Sequence, residues 1–348
     1  MMNLIATKVP KTRLSFVNVQ IVPVRTRAGE PRYLSATWGG AMHLFDRRGN
    51  DTVIPYPPQT LGSYAFVPDN QDGYAWAVHT GGKLTRIDVD RGEVDFVQDI
   101  PLEGLNWSAV LTDKGRLVCS AHPGNVMVYD VHRRETVHMF TPISPNNTKG
   151  QCLRKAPDGC VVIPMLNPGA ELIRLDPDTC EYTVMATRND TLYTFPRTFT
   201  FLSDGRMALP RGDHIETLTY PDAAPSSPLP YPETGGSWQS FRDFGDGRLY
   251  AWHTENGPLY RLADDGTWQL YLERFSPNYR ATVISMFSAL PKDGLLALSH
   301  FGMVLHYDRQ GNTTELGQLG NLGYQRLSAI TPGDGDTVFT STFINRSF

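Results

Sequence analysis

A four-strand pattern recurs along this chain every 42 to 46 residues. Its clearest copy is DGYAWAVHTGGKLTRIDVDRGEVDFVQ, from Asp72 to Gln98. Tyr74 to Val78 is an apolar run ending at His79, Leu84 to Val89 alternates apolar and polar residues, and Glu93 to Val97 follows the Arg91-Gly92 turn. Asp72-Gly73 and Gly81-Gly82 supply the backbone angles that tight hairpin turns require. An upstream run, Tyr64 to Val67, makes the fourth strand. Related text spans Leu117 to Phe140, Val161 to Met185, Leu249 to Tyr271 and Leu295 to Leu316, with divergent copies at Leu34 to Ile54 and Met207 to Leu229. The residue closing each third strand marks the period: Asp46, Asp88, Asp130, Asp176, Tyr220, Ala263 and Asp308.

So regular a repeat of four-stranded units predicts an all-β fold, a single β-propeller of antiparallel blades. One blade cannot bury both its own faces, so the 348 residues form one domain rather than two. Tyr324 to Ile330 and Thr337 to Phe343 add a strand pair after the seventh marker, and VFTSTFIN aligns with AWAVHTGG as another second strand. Eight blades are therefore expected, the last closed by these strands and Leu14 to Val19, with seven as the alternative. Residues 1–13 read as a flexible N-terminal arm and 14–348 as the propeller. The Pro/Ser-rich stretch YPDAAPSSPLPYPE, from Tyr220 to Glu233, reads as a surface loop.

Hydrophobic residues make up 40% of the chain, ample for cores between blades. The formal charge of −4 lacks the basic excess of a nucleic-acid binder. No apolar run approaches the length of a membrane span and no export signal is visible, so a soluble, cytoplasmic protein is expected. Cys119, Cys152, Cys160 and Cys180 show no C-x-x-C spacing and read as buried free thiols. Oligomeric state is left open.

In a propeller the first strands line the channel, and the turns between second and third strands open on the same face as the starts of the first strands. Trp38, His79, His122, Asn167, Arg211, His253 and His300 fall at or near those turns. Four imidazoles at one place in the repeat, His79, His122, His253 and His300, make a candidate site for a divalent transition metal such as Mn, Zn or Fe. The competing reading pairs these rings with turn carbonyls or stacks them on aromatics. At the starts of the first strands lie Tyr64, Trp107, Lys149, Gln151, Arg197, Trp238, Gln239, Arg242, Tyr279, Arg280, Tyr324 and Arg326. Arginine matches a carboxylate through its planar fork, and the aromatics offer flat faces to a ring. With Arg211, the cations, tryptophans and glutamines of this set form a candidate pocket for a small anionic molecule. Tyr64, Tyr279, Tyr324 and Glu255 are candidate proton carriers.

No GxGxxG in a βαβ context, GxxxxGK[ST], HExxH or GxSxG is present. The blade texts DGYAWAVHTGGKLTRIDVDRGEV and DGRLYAWHTENGPLYRLADDGTWQLY resemble those of virginiamycin B lyase-like and SMP-30-like propellers, over roughly Arg32 to Phe343. That resemblance implies a divalent metal at the channel mouth. The His-rich mouth is also similar to that of oligogalacturonate lyases, which eliminate across a uronate. The expectation is a metal-dependent lyase of a carboxylate-bearing substrate, with hydrolysis and isomerisation, which use the same metal, anion clamp and base, as open alternatives. The alternative is a non-catalytic scaffold or binding module.

Overall fold

Along the second strand of the clearest repeat, Tyr74–His79, apolar residues fill five successive positions, Tyr74 to Val78, rather than every other one. The reason is that both faces of this sheet are covered. Ala75 and Ala77 pack into a cluster shared with the preceding sheet, while Trp76 and Val78 pack into one shared with the next. The fourth strand, Glu93–Asp99, lies at the perimeter and alternates exposed and half-buried residues. Central strands buried on two faces lose the period-two signal, whereas an edge strand keeps it.

The computed structural model describes residues 21–36, 41–60, 62–150, 152–188, 199–211, 214–232, 248–252, 258–273, 284–290, 294–299, 303–308, 310–318, 327–332 and 338–342. Within them the chain is an all-β propeller of antiparallel blades. Blade 2 has the order Ser63–Pro68, Tyr74–His79, Lys83–Asp88, Glu93–Asp99, each strand paired with the next. Blade 1 spans 22–55, blade 3 spans 106–140, blade 4 spans 147–188, blade 5 spans 200–230, blade 6 spans 250–272 and blade 7 spans 284–318. Blade 4 divides its inner strand into Asn147–Gly150 and Arg154–Lys155, with Cys152 between them at φ +56°. No helix occurs among the described residues, so none there is long and apolar enough to cross a membrane.

The sequence period has a structural cause. In five blades the marker aspartate caps the turn from third to fourth strand. Asp88 accepts the Asp90 and Arg91 backbone N–H groups, Asp130 those of His132 and Arg133, and Asp308 those of Gln310 and Asn312. Asp46 and Asp176 do the same in their blades. These Asx turns satisfy N–H groups that leave the ladder where the chain reverses. Some markers also tie neighbouring blades. Arg27, from blade 1, donates to Asp88 and Asp90 of blade 2 at 2.7 and 2.9 Å. Its guanidinium lies 4.7 Å from the Tyr74 ring, and that of Arg86 lies 4.3 Å from the same ring. Between blades 4 and 5 the Tyr220 hydroxyl donates to Asp158 at 2.7 Å and accepts from Arg174 Nε at 2.9 Å.

Two expectations are corrected. The described strands form seven blades, the alternative count, because the ring closes between blade 7 and blade 1. Leu296 and Val304 pack directly on Ile21, Tyr33 and Phe45, and a Cβ on Gly49 would lie 2.8 Å from the Leu316 carbonyl oxygen. The C-terminal copy is a separate two-stranded ladder, Leu327–Pro332 with Val338–Thr342. Its register shift between Leu327 and Ala329 matches the one between Ser63 and Ala65 in blade 2, so it pairs like first and second strands, and no other described strand joins it. The expected arm and Leu14 to Val19 lie outside the described residues. The Pro/Ser-rich stretch is likewise more than a loop. Leu229–Pro230 pairs with His214–Leu218 and is the fourth strand of blade 5. The cysteines are free, Cys119, Cys152 and Cys160 being buried and Cys180 half-buried.

Candidate functional site

Antiparallel pairing puts the turns between second and third strands at one end of the blades, together with the chain that leads into each first strand. This end is held tightly by backbone. The Ile100 N–H donates to the Gly82 carbonyl of the blade 2 turn, and the Ile143 N–H donates to that of Gly124 in blade 3. Gly104, at φ +99°, passes so close to the His122 carbonyl oxygen that a Cβ there would collide with it. Only glycine accommodates both the dihedral and the approach.

His122 stands at this end, exposed, in the turn that follows Arg116–Ala121. Its Nδ1 donates to the Thr148 carbonyl at 3.3 Å, which joins the blade 3 turn to the inner strand of blade 4. Lys149, the next residue, is half-buried on that strand. Tyr64 and Trp107 lie on the first strands of blades 2 and 3, near the same end, as expected from their place in the repeat.

His79 is placed differently from the expectation. It is fully buried, with Nε2 at 2.7 Å from the Thr85 hydroxyl and its ring edge-on to Tyr56 at 5.7 Å. Burial pushes its pKa down to about 3, so the ring is neutral and enclosed rather than on the rim. Arg211 is engaged within its own blade. Its guanidinium meets Glu216 at 2.9 Å, and its carbonyl accepts from the Tyr231 hydroxyl at 2.7 Å. Gln151, Arg197, Trp238, Gln239, Arg242, His253, Glu255, Tyr279, Arg280, His300, Tyr324 and Arg326 lie outside the described residues. Among the described residues no three His, Cys, Asp or Glu side chains come together as a metal-holding group. Of the two described histidines of the set, His122 bonds a strand carbonyl of the next blade and His79 lies edge-on to an aromatic ring.

The burial of His79 has a measurable consequence. As pH falls below about 6.5 the unfolded chain protonates this imidazole, while the folded chain resists until about 3. The unfolded state then binds more protons, so stability falls as pH falls through this window. Unfolding free energies measured from pH 7 to pH 4 should decline less steeply in His79→Gln than in the parent. Equal slopes would refute the assignment.

A second polar group lies at this end. The buried Ser144 hydroxyl donates to Glu171 Oε2 at 2.6 Å and accepts the Asn146 and Asn147 backbone N–H groups. Asn147 Oδ1 accepts the Gly169 N–H at 3.0 Å. Together these bonds pin the lead-in of blade 4 to its own second-to-third turn. Ser, Asn and Glu at non-repeating positions carry no periodic signal, which is why the group was not expected.

Comparison with known proteins places this geometry in a broad class. No protein-family model matches the chain, and no curated protein matches it in sequence. Solved structures do match. A catalytically inactive variant of virginiamycin B lyase from Staphylococcus aureus with quinupristin superposes with a TM-score of 0.58 at 14% identity, covering 80% of this chain and 91% of that one. A streptogramin B lyase gives 0.61 at 11% identity, covering 84% and 93%. BamB from Moraxella catarrhalis gives 0.52 at 13% identity, covering 82% and 81%. The likeness is one of fold. It agrees with the resemblance read from the blade texts, and at these identities it transfers no residue.

Proposed function

We propose that this propeller is a lyase acting on a small or medium-sized carboxylate-bearing molecule at the end where His122 is exposed. The observation that carries the reading is positional. Tyr64, Trp107 and Lys149 sit on three successive inner strands, and the exposed His122 turn is bonded to the last of them. The fold likeness to two lyases supports it at the level of scaffold. Lys149, with Arg197, Arg242, Arg280 and Arg326, would orient the anionic group, and Tyr64, Tyr279, Tyr324 or Glu255 would carry the proton. A divalent Mn, Zn or Fe ion would be held by His122, His253 and His300, His79 being enclosed in its blade. Such an ion would neutralise the substrate carboxylate and the negative charge that develops beside it.

A second reading is a binding module without chemistry. It is favoured by the contacts that His79 and His122 already make within the fold. One experiment separates the two. Purified parent and a His122→Ala, His253→Ala double variant are analysed for metal, before and after reloading with Mn, Zn and Fe. About one equivalent in the parent and little in the variant is the expected result. A parent that holds no metal even after reloading leaves the binding module.

A further inference from the structure

We propose that Arg154 forms a binding site for a small oxyanion on the inner strand of blade 4, at the opposite end of the blade from His122. Arg154 pairs with Val162 as Val22 pairs with Leu34, Val67 with Trp76 and Val110 with Val118. Followed across the ladder to the third strand, all four register with the residue two before the marker aspartate, Leu44, Arg86, Val128 and Arg174, and so occupy one position of the repeat. In blades 1, 2 and 3 it is a valine packed into the cluster shared with the following blade. Blade 4 puts a guanidinium there. Val162 beside it and Cys152 two residues before it belong to the cluster shared with blade 5, so Arg154 lies on the face turned to that blade.

The guanidinium is poorly provided for. Its Nε is buried without a hydrogen-bond partner, and one Nη donates to the carbonyl of the adjacent Leu153 at 3.2 Å. Among the described residues no carboxylate pairs with it, whereas Arg27, Arg86, Arg116, Arg174 and Arg211 each have one. A charge at an apolar position of a blade interface is costly without a counter-ion. The planar fork, with an unused Nε, suits a carboxylate or a phosphate. The side chain is only part-buried, so an anion from solvent can reach it. This site is separate from the proposed substrate site and does not depend on it.

The test is thermal unfolding in sodium acetate or inorganic phosphate against sodium chloride at equal ionic strength. The parent should show a saturable rise in Tm of about 2–5 °C at high oxyanion. The anion with the lower half-saturating concentration tells carboxylate from phosphate. Arg154→Val should lose the rise and, in chloride, melt no lower than the parent, since valine is what blades 1, 2 and 3 hold at this position. Arg154→Gln should lose the rise too, and serves if the valine variant does not fold. Lys149→Ala, at the other end, should keep it. A parent without a saturable rise overturns the proposal, as does a rise retained in Arg154→Gln or abolished only in Lys149→Ala. The last outcome would place the anion among the residues of the proposed substrate site.

Discussion

Phe45→Ala should lower the unfolding free energy by about 3–5 kcal/mol, the range for truncating a fully enclosed phenylalanine. Phe45 is completely buried and stacks at 5.8 Å on Tyr33, in the small cluster where blade 1 meets Leu296 and Val304 of blade 7. The variant also tests the blade count. If blades 1 and 7 are in direct contact, Phe45→Ala and Leu296→Ala share a cavity and their effects are not additive. A double-mutant cycle in denaturant should give a coupling of about 0.5–3 kcal/mol. Strict additivity would mean that another sheet stands between them, and the seven-blade ring would be wrong.

Asp88→Ala should cost about 2–4 kcal/mol, which is large for a turn residue. The carboxylate is buried, and removing it strands the Asp90 and Arg91 N–H groups and one end of the Arg27 guanidinium. Arg27 is 42% exposed, so water recovers part of the loss and the estimate is kept below that for a fully enclosed pair. Burial alone would raise the Asp88 pKa. The bonds from Arg27 and the two backbone N–H groups outweigh it and hold the carboxyl below its ordinary range. A depressed carboxylate contributes stability above its unfolded pKa, near 3.9, and that contribution is lost as pH falls through the folded value. Urea titrations of parent and variant should therefore converge in acid. A cost under about 0.5 kcal/mol at pH 7 would show that the turn does not need its cap.

The fold was legible because in five of the seven repeats one side chain has the same fixed duty. Asp46, Asp88, Asp130, Asp176 and Asp308 cap the same turn, so their spacing reports blade geometry directly. Blade count was harder. The C-terminal copy has the residues of first and second strands, and nothing local in VFTSTFIN tells a hairpin from the start of a blade. Which sheet packs on blade 1 is a contact between residues far apart in sequence, and periodicity does not encode it.

The candidate site was legible only in part. Repeat position put Tyr64, Trp107, Lys149 and His122 near one end, but it could not tell His79 from His122. Those two sit one place apart in the turn, His79 as the last strand residue and His122 just beyond Ala121. One step along a strand end exchanges an enclosed ring for an exposed one. Arg154 escaped notice for the opposite reason. Its significance appears only when ladder partners show that the equivalent residues of blades 1, 2 and 3 are valines.

Each described blade is built from one continuous stretch of chain, so blade order around the ring is simply chain order. Nearly every packing contact between sheets then joins neighbours in sequence, and contact order stays low for an all-β protein of this size. The seam between blades 1 and 7 is the exception, since Phe45 meets Leu296 across almost the whole described length. On the ribosome the blades can assemble one after another as they emerge, each templating the next. Joining the ring has to wait until residues 284–318 have been made. Until then the outer face of blade 1, with Tyr33 and Phe45, has no partner sheet, and the nascent chain carries that apolar surface open to solvent.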